Sequence, residues 1–303
     1  MITLAIIISI DFLTGFLINK NADFRISSKP KYIILGHSHP ECAYNDSLIQ
    51  NFQNLAKSSE SYYYNFFKLK KVLEQNKEIE CVFIEYTNNQ IKLEMNNWIW
   101  DNKHISNLYP KYSSFMTFKD QYILFKNNPK GFLNAFSSSS RLKLSIVLSG
   151  NYDYTNKIGG YNYLERNKTD SLLKKIIAQK KTNSNSKLFQ AKDISELNLV
   201  YLEKMISLVK KFNKKVILIR TPLHKNYNGF DNEFIYKKIL NDRFRDIQYM
   251  DLSNFKVENS EFGDLAHLNH YGANKFSIYF DILLEKGVIH KQKKLIKNNI
   301  QTK

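Results

Sequence analysis

The sequence predicts an α/β fold built on a parallel sheet, and three observations carry that prediction. Residues 32–36, 80–86 and 215–219 are runs built mainly of apolar residues. Strands covered on both faces read this way, without alternation. Between them stand stretches with apolar residues at helical spacing, such as 61–75, with Tyr62, Phe66, Leu69, Val72 and Leu73,. Strands separated by helices imply parallel pairing through right-handed crossovers. The composition agrees, because 43% of residues are hydrophobic while only 10 of 303 are Gly and 5 are Pro. Such a chain can bury a core and is neither fibrous nor disordered.

In chain order, residues 32–36 read as the first strand, 46–54 as a short helix and 55–59 as a short second strand. Residues 61–75 are the next helix and 80–86 the third strand. Residues 90–190 form a long insert with helix-like stretches at 118–125 and 131–148. Its last part, 149–187, is rich in Asn, Lys, Ser and Tyr and reads as a loop or lid. Residues 194–212 form an amphipathic helix, and 215–219 a strand ended by Thr221-Pro222. The run finishes with a helix at 230–240, a strand at 247–252 and a closing helix at 272–285. There is no internal repeat.

Two short segments carry the chemistry. Gly36-His37-Ser38-His39 overlaps the end of the first strand, and Asp264-Leu265-Ala266-His267-Leu268-Asn269 precedes the last helix, which opens with Gly272-Ala273. In open α/β sheets ligands bind at the carboxyl ends of strands, where Ser38 falls. Asp264 and His267, three apart, can present both side chains on one side of a turn. Ser38 would attack, His267 would take its proton, and Asp264 would orient the imidazole. The competing reading of Ser38 is an N-cap for the next helix. Asn269 reads as the cap of the closing helix, and Gly272 as a point of close approach. His224 and Tyr227, after the fourth strand, are candidates for lining a substrate cleft. His37 and His39 have only Glu41 nearby, and no recognisable metal set is complete. There is no phosphate loop or dinucleotide fingerprint.

On these motifs the chain resembles the SGNH (GDSL-type) hydrolases, and more closely the membrane-anchored branch that acylates or deacylates envelope polysaccharides. The last block, with Leu268-Asn269 and Gly272-Ala273, matches that branch. In the first, His37 stands where the family has Asp. The resemblance spans residues 32–286, loosely over 90–190. It implies a three-layer α/β/α sandwich with a flavodoxin-like parallel sheet. The implied activity is a serine esterase or O-acyltransferase without a cofactor, acting on O-acyl, notably O-acetyl, esters of an envelope or exported polysaccharide. The oxyanion donors of the family are the nucleophile's N–H, a glycine after the second strand and an Asn after the third. Asn88 is the natural candidate for the last, with Asn89 as the alternative. The glycine is missing: Lys57-Ser58-Ser59-Glu60 stands there, so the N–H of Ser59 or Ser58 would serve. The departures at His37 and at the glycine keep a second reading open, a non-catalytic envelope protein with a degraded site. Trp98, Trp100 and the tyrosines of the insert are either a sugar-stacking platform or the insert's own core.

Residues 1–19 read as an uncleaved N-terminal membrane helix projecting from the domain, 20–31 as a polar linker, 32–290 as the α/β domain and 291–303 as a basic tail. Residues 1–18 are nearly all apolar, with Asp11 an internal cost of roughly 2.5–3.5 kcal/mol at mid-membrane. The lysines and Arg25 that follow favour a cytoplasmic domain, whereas the resemblance implies an extracytoplasmic one. The net charge of +17 comes from lysines scattered along the chain. A nucleic-acid binder would need one contiguous basic face, so the charge reads as a solvated surface with some attraction to anionic lipid or polysaccharide. Cys42 and Cys81 have no metal-type spacing, and Cys81 reads as a small core residue.

Overall fold

A computed structural model describes residues 2–180 and 190–290. The elements, in chain order, are α1 (Ile2–Asn21), β1 (Tyr32–Leu35), α2 (Ser38–Ala43), β2 (Phe52–Asn54), α3 (Tyr62–Gln75) and β3 (Cys81–Glu85). An insert of helices follows: α4 (Asn97–Trp100), α5 (Asn102–Tyr112), α6 (Phe118–Asn127), α7 (Pro129–Ser149) and α8 (Thr169–Lys180). The chain then returns to the sheet through α9 (Glu196–Lys211), β4 (Lys215–Arg220), α10 (Glu233–Arg243), β5 (Gln248–Asp251) and α11 (His270–Glu285).

The five strands are all parallel, in the order β2-β1-β3-β4-β5. This is the doubly wound order of flavodoxin-type sheets. Alternate residues face opposite layers. Ile33, Leu35, Val82, Ile84, Val216 and Leu218 join one core with residues of α3, α9 and the insert helices. Ile34, Phe83, Ile217, Ile219 and Met250 join the other with Phe52, Phe276 and Phe280. Burial on both faces is the reason these strands lack alternation. Cys81 lies in that second core, and it and Cys42 are free thiols.

The expected second strand lies earlier in the chain. Residues 52–54, expected as the end of a helix, form β2, with Tyr32 opposite Phe52. Asn45 caps only a single short turn over Asp46–Leu48. Phe52 fits the core, and that overrides helical spacing. Residues 55–59, expected as the strand, are the turn after it. The helices expected at 118–125 and 131–148 are α6 and α7.

Of the N-terminal helix, the described side chains begin at residue 8. This part packs along α7 and does not project. Asp11, the residue that would burden a membrane span, accepts from Ser140 at 2.7 Å and pairs with Lys143 at 3.0 Å. Thr14 and Ile18 are buried on the same side. Phe12, 73% exposed, heads an apolar stripe with Ile8, Leu13 and Phe16 on the other side. Among the described residues no helix is long and apolar enough to cross a membrane. The basic tail lies outside the described residues.

Candidate active site

The site forms where the first and last βα turns meet. At position 36 an added Cβ would lie 2.4 Å from Glu85 Oε2 and 2.7 Å from Pro40 Cγ. Only glycine lets β1 pass this close to Glu85, and the next N–H, of His37, donates to that carboxylate at 2.8 Å. His37 then caps α2, its ring Nδ1 accepting from the His39 N–H at 3.3 Å. The cap is therefore His37 and not Ser38. Ser38 is the first residue of α2, so its N–H has no intrahelical acceptor and its hydroxyl is free to face the last turn.

The last turn is built on Asp264. Its Oδ1 accepts from the N–H of Ala266 at 2.9 Å and of His267 at 3.0 Å. Asn269 caps α11 by accepting from Tyr271 and Gly272 N–H. Gly272 is needed there, because a Cβ would meet the Glu261 carbonyl at 2.2 Å. These constraints fix His267 between two partners. Its Nδ1 lies 2.8 Å from Asp264 Oδ1 and its Nε2 lies 2.8 Å from Ser38 Oγ. Both distances suit working hydrogen bonds. Nδ1–H donates to the carboxylate, so Nε2 accepts from the serine hydroxyl. Burial opposes charge on Asp264, but the bonds from His267, Ala266 N–H and Arg166 outweigh it and hold the carboxyl well below the usual range.

Arg166, which sequence reasoning missed, ion-pairs with Asp264 Oδ2. It belongs to a segment, residues 150–168, that crosses the turns. Gly160 N–H donates to Ala56 O, Asn162 N–H to Glu41 O, and Lys168 N–H to Gly263 O. The expected loop or lid is thus a loop over the site followed by α8; residues 181–187 of it lie outside the described residues. No sequence signal ties an arginine in a loop to an aspartate 98 positions away.

Ser59 stands in the left-handed region, with φ of 70°. That conformation favours glycine, and it is found at the position where the motif lacks one. The Lys57 N–H on Gly36 O, at 3.2 Å, docks this turn beside the nucleophile turn. Ser58 N–H is taken by Glu41 at 2.9 Å, which leaves Ser59 as the donor of the two.

Asn88 is not at the site. Its Oδ1 accepts from Arg220 at 3.0 Å, and its Nδ2 donates to Asn232 at 3.0 Å and Glu233 at 2.8 Å. Successive residues of a chain leaving a strand point to opposite sides, and Asn89 is the one turned toward Ser38's neighbours. Its amide lies 2.8 Å from His37 Nε2. Tyr227 packs edge-on against His39 at 5.9 Å, and burial pushes its phenol up to about 12. Trp98 packs against His37 at 5.5 Å and stacks on His104, whereas Trp100 packs into the core. His224 faces away, bonding Asn259 at 3.1 Å in a separate cavity of about 290 Å³ with Phe230, Phe255 and Phe262.

Glu85 was also missed, although an acid closing a wholly apolar strand was a visible signal. Folding brings it to His37 and His39, a grouping with ligand atoms within 4.8 Å of one another. The acid grouped with the two histidines is Glu85, not the Glu41 that stands near them in sequence. Glu41 binds Ser58 and Lys57. Burial lowers His37 to about 4 and moves His39 the same way, and it raises Glu85.

One family model, of an uncharacterised family, matches residues 153–288. The matched stretch holds Arg166, Asp264 and His267 but not Ser38. No curated protein matches the chain.

Proposed function

We propose that the chain is an SGNH-type serine acyl hydrolase or acyltransferase, acting on O-acyl, chiefly O-acetyl, esters of a cell-envelope or exported polysaccharide. The observation that carries this reading is the unbroken chain Ser38–His267–Asp264, with both links at 2.8 Å. Ser38 Oγ attacks the ester carbonyl while its proton moves to His267 Nε2. The oxyanion receives the N–H groups of Ser38 and Ser59 and an amide N–H of Asn89, whose side chain stands beside His37. Collapse expels the sugar alkoxide, which takes the proton back from His267 and leaves an acyl-serine. Water or another sugar hydroxyl then attacks, with His267 again as base. Asp264 stays ionised throughout, fixing the tautomer and stabilising the imidazolium.

Tyr227 and Trp98, beside His39 and His37, supply aromatic faces for a sugar. The alternative, a polysaccharide-binding or assembly protein with a degraded site, is disfavoured by the intact hydrogen-bond chain and by Ser59 holding the missing glycine's conformation. The solvent-facing stripe of Ile8, Phe12, Leu13 and Phe16 supports attachment to a membrane; the extracytoplasmic side follows only from the family resemblance.

The test is release of acid from a small activated acetyl ester by the full chain, together with labelling by a fluorophosphonate. Turnover and labelling that both vanish in Ser38→Ala are expected. Equal turnover by the variant, or no labelling of Ser38 in the wild type, would sink the assignment. Labelling without turnover on water would favour the transferase.

A further inference from the structure

Beneath the nucleophile turn, His37, His39 and Glu85 converge, each almost fully buried. His39 Nδ1 lies 3.1 Å from Glu85 Oε1, and His37 Nε2 lies 3.6 Å from the same oxygen. A tetrahedral zinc with bonds of ~2.0–2.1 Å keeps its ligand atoms roughly 3.3 Å apart, between these two distances. His39 Nδ1 forms no hydrogen bond despite its closeness to Glu85. The two atoms are thus close without bonding each other, as two ligands of one ion are. A buried polar atom left unpaired is destabilising, and an ion between the two would remove that cost. Gly36 shows that the backbone is matched to Glu85, since any side chain there collides with it.

We propose that His37, His39 and Glu85 bind one divalent transition cation, zinc foremost. Two neutral imidazoles and one carboxylate form a borderline donor set of the His₂Glu kind, which suits zinc and its first-row neighbours better than magnesium or calcium. The Asn89 amide, 2.8 Å from His37 Nε2, closes a further side. A flip of that amide offers Oδ1 in place of Nδ2, with Thr87 Oγ1, now donating to it at 2.6 Å, accepting instead, and it takes Asn89 away from the oxyanion while the ion is bound. Ligation through Nε2 puts the His37 proton on Nδ1. There it exchanges the 3.3 Å bond from His39 N–H for a contact to Ser38 Oγ, 3.4 Å away. The ion would thus be linked to the nucleophile by one imidazole. Any effect on acyl transfer rests on the function proposed above, but uptake of the metal does not.

The full chain, stripped with a chelator, is titrated with zinc sulfate by calorimetry and with cobalt(II) chloride by visible absorption. One equivalent of zinc at about micromolar affinity or tighter is expected, with cobalt d–d bands of tetrahedral intensity. Glu85→Gln and His39→Gln should each weaken binding by at least ~100-fold, with melting curves showing both folded. His267→Ala should keep it. Absence of both zinc uptake and cobalt bands in the wild type overturns the proposal. So does binding that survives Glu85→Gln and His39→Gln, or that is lost in His267→Ala. Should one near-isosteric variant not fold, the other and the wild-type spectrum decide. Metal uptake without ester turnover would leave this site standing and count against the acyl-transfer reading alone.

Discussion

At the carboxyl ends of β1 and β3, Ser38, His267 and Asp264 form a hydrogen-bonded line that ends in a half-buried hydroxyl. At the carboxyl ends of β3, β4 and β5, Arg220 gathers Asn88, Glu233 and Asp251 into a closed knot. Both clusters are polar, both lie at the sheet edge where α/β ligands bind, and an Asn that follows β3 stands in one (Asn88) and beside the other (Asn89, on His37). The difference is satisfaction. In the knot every donor meets an acceptor, and Arg220 holds the carboxyls of Glu233 and Asp251 low against the opposing pull of burial. In the line, the N–H of Ser38 points toward no intrahelical acceptor and the serine hydroxyl faces a base. Position at the sheet edge alone does not mark a site; groups left available at that edge do.

The largest expected effect separates the two clusters outright. Ser38→Ala should lower ester turnover by about 10⁶-fold without moving the melting temperature. Arg220→Met should do the reverse, lowering stability by about 3 kcal/mol, the low end for a broken buried ion pair because its partners are about a quarter exposed,. Turnover per folded molecule should hold. Thermal melts and steady-state kinetics on both variants check this, and a common loss of both properties would erase the distinction.

Asp264→Asn should lower turnover by about 10⁴-fold, less than Ser38→Ala, because it upsets the tautomer but leaves the nucleophile. The same variant sharpens the comparison by pH. The folded carboxyl is held low, so its stabilisation is complete above the unfolded value of about 3.9 and is lost as pH falls below it. The melting temperature of the variant should therefore decline less than that of the wild type between about pH 5 and pH 2. Parallel declines would show that Asp264 is not coupled to folding.

The two asparagines give the next test. Asn89→Ala should reduce kcat by about 10²–10³-fold with little change in KM, the usual cost of one oxyanion donor. Asn88→Ala should leave kcat alone and lower the melting temperature. The opposite pattern would return the oxyanion role to Asn88. Smallest is Ser59→Gly, which relieves the left-handed backbone and should stabilise by at most about 1 kcal/mol. Turnover should be preserved, because the N–H that serves the oxyanion remains; a fall in turnover would give the Ser59 side chain a role of its own.

The alternation of apolar runs determined the parallel sheet, because strands buried on both faces need no polar face. Ser38, Asp264 and His267 were legible as a candidate triad because residues able to serve as nucleophile, orienter and base lie in the first and last βα turns, and those turns share one sheet edge. Tertiary structure alone decided what depends on side-chain direction and on contacts across long chain separations. It turned the side chain of Asn89 toward His37 and that of Asn88 toward Arg220, because adjacent residues diverge as the chain leaves β3. It placed β2 at Phe52–Asn54, because the core accepted Phe52 there. It brought Arg166 to Asp264 and paired Asp11 with Lys143, and it set Glu85 between His37 and His39. Spacing in sequence cannot encode these meetings, since each depends on how separate elements pack.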